Sequence, residues 1–208
     1  RSSTATSASR SARTGTGSDT KAMPTLTING MTVDVPQGTT ILNAAKEVGV
    51  EIPHYCYHPK LSIAGNCRMC LVEVEKFPKL QTACSTVVTD GMVVRTDTEK
   101  VGKAGTGVLE LMLIHHPIDC PICDKAGECL LQDYHFQYGQ SERRADLLTF
   151  TSRRRDIGDV TLFVDRCILC SRCVRFTAEI SGGNELMVAG RGAREEIDVV
   201  PGFPLNNK

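Results

Sequence analysis

Ten cysteines and one histidine fall into three sets with short, regular spacing, and these sets constrain the fold more than any other feature of the chain. The first set has ten, two and thirteen residues between successive members: Cys56, Cys67, Cys70 and Cys84. The second has three, two and five: His116, Cys120, Cys123 and Cys129. The third has two and two: Cys167, Cys170 and Cys173. We refer to them as the Cys56 set, the His116 set and the Cys167 set.

Iron–sulfur clusters explain these spacings better than disulfide bonds or zinc. Disulfide frameworks belong to short secreted chains, and no apolar signal-peptide segment lies near Arg1. Zinc suits the His116 set, because three cysteines and one histidine make an ordinary structural zinc site. The Cys167 set is a triple on one tight loop, however, and such triples hold a [4Fe-4S] cluster whose fourth ligand is distant in sequence. We therefore expect clusters, and a zinc-bound scaffold remains the remote alternative.

Composition favours small modules. The chain has 208 residues, of which 41% are hydrophobic and 5% aromatic, and it has no tryptophan. Units much smaller than ~70 residues rarely bury enough apolar surface to fold without a staple such as a metal. The 24 basic and 24 acidic residues balance, which gives no indication of nucleic-acid binding. No segment approaches the ~20 apolar residues of a membrane-spanning helix, so we expect membrane contact only through partners.

Residues 1–22 differ from the rest of the chain. They are rich in Ser, Thr, Ala and Arg, and Asp19 is their single acidic residue. We expect a disordered tail. Its composition fits a mitochondrial presequence remnant, and Met23 followed by Pro24 fits equally well a bacterial start preceded by foreign sequence.

The segment after this tail predicts a β-hairpin followed by a helix. Two alternating runs within Thr25 to Val35 flank Asn29-Gly30, the strongest short signal of a hairpin turn. A helix is expected to start after Thr39 or Thr40 and to end at Gly49.

Strand, strand, helix is the beginning of a β-grasp domain. Further strands are expected over residues 70–75, 80–84 and 93–96. A second helix, over residues 100–115 and ended by Pro117, is expected to lead into His116. The fold class is therefore α+β: a β-grasp domain followed by small modules that their clusters hold together.

Three motifs resemble one protein family. They are the segment from Pro53 to Glu75, the segment His-Pro-Ile-Asp-Cys-Pro-Ile-Cys-Asp-Lys-Ala-Gly-Glu-Cys over 116–129, and Asp-Arg-Cys-Ile-Leu-Cys-Ser-Arg-Cys-Val-Arg-Phe over 165–176. The chain resembles the amino-terminal region of the large iron–sulfur subunit of respiratory complex I, an NADH-quinone oxidoreductase. The resemblance implies that the Cys56 set binds a [2Fe-2S] cluster and the His116 set a [4Fe-4S] cluster. It also implies that the Cys167 set supplies three ligands of a second [4Fe-4S] cluster.

The resemblance implies four regions. They are a tail (1–22), a [2Fe-2S] ferredoxin-like domain (23–99), a His/Cys-ligated [4Fe-4S] module (100–146) and a [4Fe-4S] ferredoxin-like module (147–208). In the family a later Cys-Pro segment supplies the fourth ligand of the last cluster, and no such cysteine precedes Lys208. We therefore expect a truncated sequence. Two-cluster ferredoxins place a cysteine where this chain has Thr177, which disfavours that class.

The expected function is electron transfer. The chain has no Gly-x-Gly-x-x-Gly turn and no phosphate-binding loop, so no site for NAD or flavin and no catalytic residue is predicted. The resemblance implies an oxidoreductase subunit that receives electrons from a flavin- and NADH-binding subunit and passes them toward quinone. Its partners would be that subunit and other iron–sulfur subunits, on the cytoplasmic side of a bacterial inner membrane or in a mitochondrial matrix. The alternative is the diaphorase-type subunit of a NAD-reducing hydrogenase or of a NAD-linked formate dehydrogenase.

Overall fold

A computed structural model describes residues 23–142, 144–146, 154–203 and 205. The expected disorder of residues 1–22 lies outside this part of the chain. The described residues form a five-stranded sheet with one helix, a pair of helices, and two short hairpins on either side of a further helix. The mixed architecture confirms the α+β class.

The first domain is a β-grasp sheet that covers one helix. Its helix, α1, is Ile41–Glu47. Its strands are β1 (Thr25–Ile28), β2 (Met31–Asp34), β3 (Leu71–Val74), β4 (Gln81–Thr82) and β5 (Met92–Arg95). The order across the sheet is β2-β1-β5-β3-β4. β1 and β5 are parallel, and the other neighbours are antiparallel.

The first hairpin forms where the sequence predicts it. Asn29 and Gly30 have φ values of 49° and 85°, the left-handed conformation that a tight hairpin turn requires. The Asn29 amide also accepts from the Thr96 N–H at 2.9 Å and donates to the Thr96 hydroxyl at 2.7 Å. The turn is thereby tied to the end of β5, which explains how a two-stranded ribbon becomes part of a larger sheet.

Helix α1 also lies where expected, with one difference at its start. Thr40 precedes the helix and Gly49, with φ of 72°, follows it. The Thr40 side chain makes no capping hydrogen bond, and its hydroxyl is buried without a partner. Burial of the apolar face therefore stabilises this helix start, because Ile41, Leu42 and two alanines in the same helix are buried.

The second module is a pair of packed helices. They are α2 (Glu99–Ile114) and α3 (Leu130–Tyr138). The Thr98 hydroxyl accepts from the Val101 N–H at 3.3 Å, a side-chain cap at the start of α2. The helix predicted over 100–115 is therefore confirmed, and α3 is an element that the sequence patterns did not indicate.

The third module has two short hairpins and one helix. Strands β6 (Arg154–Asp156) and β7 (Thr161–Phe163) pair, as do β8 (Leu186–Ala189) and β9 (Glu196–Val199). Helix α4 (Arg172–Glu179) begins within the Cys167 set and includes its last member, Cys173. Across the described residues, no helix combines the length and the apolar character needed to cross a bilayer.

Candidate iron–sulfur centres

The Cys56 set lies together at one end of the β-grasp sheet. Cys56 is on the loop after α1, Cys67 and Cys70 flank a turn before β3, and Cys84 follows β4. Arg68 has φ of 57° in that turn, so the backbone curls between the two cysteines. Cys56, Cys70 and Cys84 are 1% exposed or less. The fold thus brings four sulfur atoms from three separate segments into one buried group.

Hydrogen bonds among these thiols divide the set into acceptors and donors. Hydrogen bonds from Cys67 and then Cys84 hold the pKa of Cys56 far below its usual range. A hydrogen bond from Cys84 lowers the pKa of Cys70 to about 7. The pKa of Cys67 and of Cys84 rises because each donates to Cys56. Thiolates are the form that binds metal, so this environment favours the ligand state at Cys56 and Cys70.

Backbone amides also point at the sulfur atoms. The N–H groups of Cys67 and Asn66 hydrogen-bond the Cys56 sulfur, and those of Met69 and Tyr55 are among the donors to Cys67. Amide donors stabilise negative charge on sulfur and are one of the means by which proteins set cluster potentials.

The His116 set surrounds one cavity of about 280 Å³. Its walls include the four members of the set together with Asp119 and Arg166. His116 Nδ1 is buried and has no hydrogen-bond partner, and burial lowers the pKa of this histidine. A neutral imidazole with one free nitrogen is suited to bind metal. His115, by contrast, is exposed and does not line the cavity.

The Cys167 set spans the tight loop that leads into α4: Cys167 and Cys170 lie in the loop, and Cys173 is the second residue of the helix. Leu169 and Ser171 have φ values of 52° and 57°, and this left-handed pair turns the chain between successive cysteines. The Leu169 N–H donates to the Cys167 sulfur at 3.3 Å. Burial raises the pKa of Cys167 and of Cys173, and each thiol interacts electrostatically with Cys170.

Thr177 stands where a two-cluster ferredoxin would have a further cysteine. It is buried, and its hydroxyl donates to the Val174 carbonyl at 3.0 Å. This side chain therefore satisfies its own hydrogen bonding within α4.

The three sets meet at one hydrophobic cluster, which we call the junction cluster. It consists of Tyr55, Met69, Leu109, Leu131 and Tyr134. One cysteine of each set packs against it: Cys67, Cys129 and Cys170. The first domain, the helix pair and the third module therefore share a core at the point where their ligand sets approach one another.

Two arginines at the start of α4 fasten the third module to the loop that carries Cys56. Arg175 donates to the carbonyl of Cys56 at 2.5 Å, to that of Cys170 at 3.3 Å and to that of Ser62. Arg172 donates to the Tyr57 carbonyl at 2.8 Å. We call this group the α4 clamp.

An acidic residue completes the α4 clamp from the other end of the helix. The Glu179 carboxylate accepts from the Ser62 N–H at 2.7 Å and from the Ser62 hydroxyl. The hydrogen bond from the Ser62 side chain, followed by that from its N–H, lowers the pKa of Glu179. A neighbouring bond, from the Asn66 side chain to the Leu169 carbonyl at 3.1 Å, joins the two ligand loops directly.

Sequence patterns gave no indication of the α4 clamp or of an ion pair beside the His116 set. Arg166 and Asp119 are 3.3 Å apart, and their side chains are 17% and 26% exposed. Each immediately precedes a cysteine, Cys167 and Cys120. The adjacency of a charged residue to a ligand was visible in the sequence, but the pairing across 47 residues was not.

The donors fit iron–sulfur clusters. A cluster binds its ligands at two or four separate iron atoms, so the ligands surround a volume and not a point. Within 23–142, 144–146, 154–203 and 205, no three His, Cys, Asp or Glu side chains converge as ligands of a single metal ion. The His116 set instead borders a cavity, and His116 Nδ1 is buried without a hydrogen-bond partner among the described residues.

Fold and ligand sets together define an iron–sulfur protein with a ferredoxin-like first domain, and family comparisons agree. Residues 21–99 match a 2Fe-2S iron–sulfur cluster binding domain. Residues 106–144 match the NADH-ubiquinone oxidoreductase-G iron–sulfur binding region, and residues 159–208 match the ferredoxin-like domain of NADH-quinone oxidoreductase subunit 3. These matches confirm one [2Fe-2S] domain and two regions of the [4Fe-4S] type.

Curated relatives extend this result. An NADH-quinone oxidoreductase subunit of Rickettsia bellii is 47% identical over 83% of the chain and 25% of the relative. The NADH-ubiquinone oxidoreductase 75 kDa subunit of Reclinomonas americana is 50% identical over 82% of the chain and 25% of the relative. The chain thus spans about a quarter of the length of these relatives. It belongs to the family of the large iron–sulfur subunit of NADH-quinone oxidoreductase.

One solved structure has the same architecture. A chain in the crystal structure of NAD+-reducing [NiFe]-hydrogenase in the H2-reduced state superposes with a TM-score of 0.79 and is 29% identical. The match covers 86% of this chain and 76% of that chain.

Proposed function

We propose that this chain is the electron-relay segment of an NADH-quinone oxidoreductase, with a [2Fe-2S] cluster on the Cys56 set and [4Fe-4S] clusters on the other two sets. The observation that carries the proposal is the junction cluster. Cys67, Cys129 and Cys170 pack against the same buried residues, so the three sites are neighbours in one core. Electron transfer between bound centres depends on such proximity, because tunnelling weakens steeply with distance.

When bound, the clusters would supply one-electron redox chemistry, and the protein would supply their positions and surroundings. The four thiols of the Cys56 set and the mixed donors of the His116 set would hold two complete clusters. The Cys167 set would provide three ligands of the third. The α4 clamp would fix the Cys56 loop against the Cys167 loop, since Arg175 bonds carbonyls in both.

The donor and acceptor of the relay follow from the family. Relatives are named as subunits of NADH-quinone and NADH-ubiquinone oxidoreductases. We propose that electrons enter from a flavin- and NADH-binding subunit and leave through other iron–sulfur subunits toward quinone. The complex would attach to the cytoplasmic side of a bacterial inner membrane or the matrix side of a mitochondrial one.

A second candidate is the corresponding subunit of a NAD-reducing hydrogenase, favoured by the TM-score of 0.79 to a chain of such an enzyme. Identity separates the two candidates, since it is 29% for that chain and 47–50% for the oxidoreductase subunits named above. Reconstitution would decide: reduction by NADH through a complex I flavin subunit, followed by quinone reduction, supports the first candidate. Coupling only to a hydrogenase module supports the second.

The cluster assignment is tested by iron and acid-labile sulfide analysis of anaerobically purified protein, followed by low-temperature EPR after dithionite reduction. We expect about six irons if only the two complete sets are loaded and about ten if an outside ligand completes the Cys167 set. Zinc with negligible sulfide would contradict the relay and leave a structural scaffold.

A further inference from the structure

Tyr55 has a buried hydroxyl without a partner at the centre of the three ligand sets. The residue is 3% exposed, and its oxygen has no hydrogen-bond partner among the residues that the structure describes. Burial of a polar group is unfavourable unless another group pairs with it. Buried tyrosines usually find such a partner.

The surroundings of Tyr55 offer sulfur atoms. A cavity of about 250 Å³ is lined by Tyr55 together with His116, Cys123 and Cys129, three members of the His116 set. Cys170 and Arg172 also line it. Three of these side chains carry buried polar atoms without partners: Tyr55, His116 and Arg172. That all three residues line the same cavity fits a bound group, outside the protein chain, as a partner for such atoms.

Tyr55 lines this cavity, and its phenol is a hydrogen-bond donor at neutral pH. Tyr134, whose ring centroid is 5.3 Å away, is not its partner, since the Tyr55 oxygen makes no hydrogen bond to any described residue. The Tyr134 oxygen accepts instead from the His54 backbone N–H.

We propose that the Tyr55 hydroxyl donates a hydrogen bond to a sulfur atom of the cluster on the His116 set, at Cys129 or at the adjacent inorganic sulfide. The proposal rests on the cluster assignment made above. Cys67 of the Cys56 set is also near, but it does not line the cavity, whereas three members of the His116 set do. A hydrogen bond to sulfur stabilises the more negative, reduced state and thereby raises the reduction potential. Tyr55, which lies next to Cys56, would thus raise the reduction potential of the cluster on the His116 set.

The chain offers a matched pair of variants, Tyr55→Phe and Tyr57→Phe. Both residues flank Cys56 and both are buried. The Tyr57 hydroxyl, however, donates to the Asn43 side chain at 2.9 Å and does not line the cavity. Each variant loses one hydroxyl and keeps its ring, so a difference between them reports the site of the lost donor.

The experiment is an EPR-monitored redox titration of the cluster-loaded protein, with iron and sulfide content and thermal unfolding measured for each variant. In Tyr55→Phe we expect the reduction equilibrium constant of the His116-set cluster to fall by about tenfold, which is about 59 mV for a one-electron couple. Deuterium ENDOR should also lose one exchangeable proton coupled to that cluster. Tyr57→Phe should change neither.

The outcomes separate this proposal from the one it rests on. Wild-type protein without iron and sulfide contradicts the cluster assignment. If the clusters are present, an unchanged potential and proton coupling in Tyr55→Phe overturn the Tyr55 proposal alone. A shift confined to the [2Fe-2S] signal also overturns it, because the hydroxyl would then serve Cys67. Equal shifts in both variants would mean that general loosening of the loop, and not the donor, sets the potential.

Discussion

The first domain and the two modules after it differ in the size of their hydrophobic cores. Among the described residues, the first domain has a core of seventeen buried residues and the third module a cluster of three. The junction cluster has five, of which Tyr55 and Met69 come from the first domain. Cys70 and Cys84 are part of the larger core, while Cys129, Cys167 and Cys170 pack around the rims of the smaller ones. The Cys56 set therefore lies beside a large hydrophobic core, whereas the other two sets lie beside small clusters of buried residues.

Metal removal should expose this difference most strongly. Binding free energy of a structural metal is folding free energy where the apolar core is small. After chelation of the whole protein, we expect α3 and α4 to lose amide protection and β1, β3 and β5 to keep it. Hydrogen exchange with mass spectrometry measures both in one sample. Uniform loss across all three regions would contradict the comparison.

Substitution of a single ligand should affect the fold differently in the first domain and in the second module. Cys70→Ser is expected to abolish the [2Fe-2S] EPR signal while the sheet and the His116-set signal persist. His116→Ala should disturb only its own cluster and α3. An unaltered spectrum of that cluster would show that His116 is not its ligand, and simultaneous loss of both signals in Cys70→Ser would show that the sites do not load independently.

A core substitution tests the first domain in the opposite direction. Leu42 is fully buried between α1 and the sheet, and Leu42→Ala should lower the free energy of unfolding of this domain by about 2–5 kcal/mol. The exposed Met31 provides the control, since Met31→Ala removes little buried surface. Urea denaturation followed by sheet circular dichroism measures both. Equal effects of the two variants would be evidence against a core-dominated domain.

The α4 clamp joins the first domain to the third module, and substitution there should have a smaller effect on stability. Arg175→Met keeps the aliphatic stem and removes the donors to Cys56, Ser62 and Cys170, which should cost roughly 1.5–3 kcal/mol. Faster amide exchange over residues 56–62 is the expected readout. Arg154→Met, at an exposed arginine outside the clamp, should leave that exchange unchanged.

The smallest expected effect is a pH dependence in the last hairpin. Hydrogen bonding to Arg155, at 2.5 Å, is the main cause that lowers the pKa of Asp198 in the folded protein. The stability that the Asp198 carboxylate contributes is therefore fully present above the pKa of about 3.9 that this group has in the unfolded chain. It is lost as the pH falls through the lower pKa of the folded protein. Because Arg155 lies in β6, Asp198→Asn at pH 7 should weaken the contact between the β6–β7 and β8–β9 hairpins by less than ~1 kcal/mol.

Comparison of wild type and Asp198→Asn at several pH values isolates this group, because both proteins lose their clusters alike in acid. Their unfolding free energies should converge as the pH falls from about 5 to below about 3. A constant difference over that interval would show that the Asp198 carboxylate does not contribute through its charge.

Sequence patterns located the elements of the first domain and missed most of those in the third module, for a physical reason. The hairpin at Asn29-Gly30 and the helix that ends before Gly49 depend on local turn chemistry and on apolar periodicity. Helix α4 has eight residues, starts after a left-handed Ser171 and lacks a side-chain cap, so its local signal is weak. Its contacts with other modules stabilise it instead.

The ligand sets could be grouped from spacing, but their mutual arrangement could not. That Cys67, Cys129 and Cys170 share the junction cluster follows from packing of α2 and α3 on the first domain. The unpartnered hydroxyl of Tyr55 likewise depends on where Leu131 and Tyr134 pack. Such contacts join residues far apart in the chain, and single-residue propensities contain no information about them.

The bond from Arg175 to the Cys56 carbonyl joins residues 119 positions apart, and this separation has a consequence for biosynthesis. Chains emerge from the ribosome amino terminus first, and domains fold as they emerge. All four members of the Cys56 set are available once the sheet is complete, yet their loop receives its last restraints only after α4 has been made. During that interval the loop lacks the hydrogen bonds that join it to Arg172, Arg175 and Glu179.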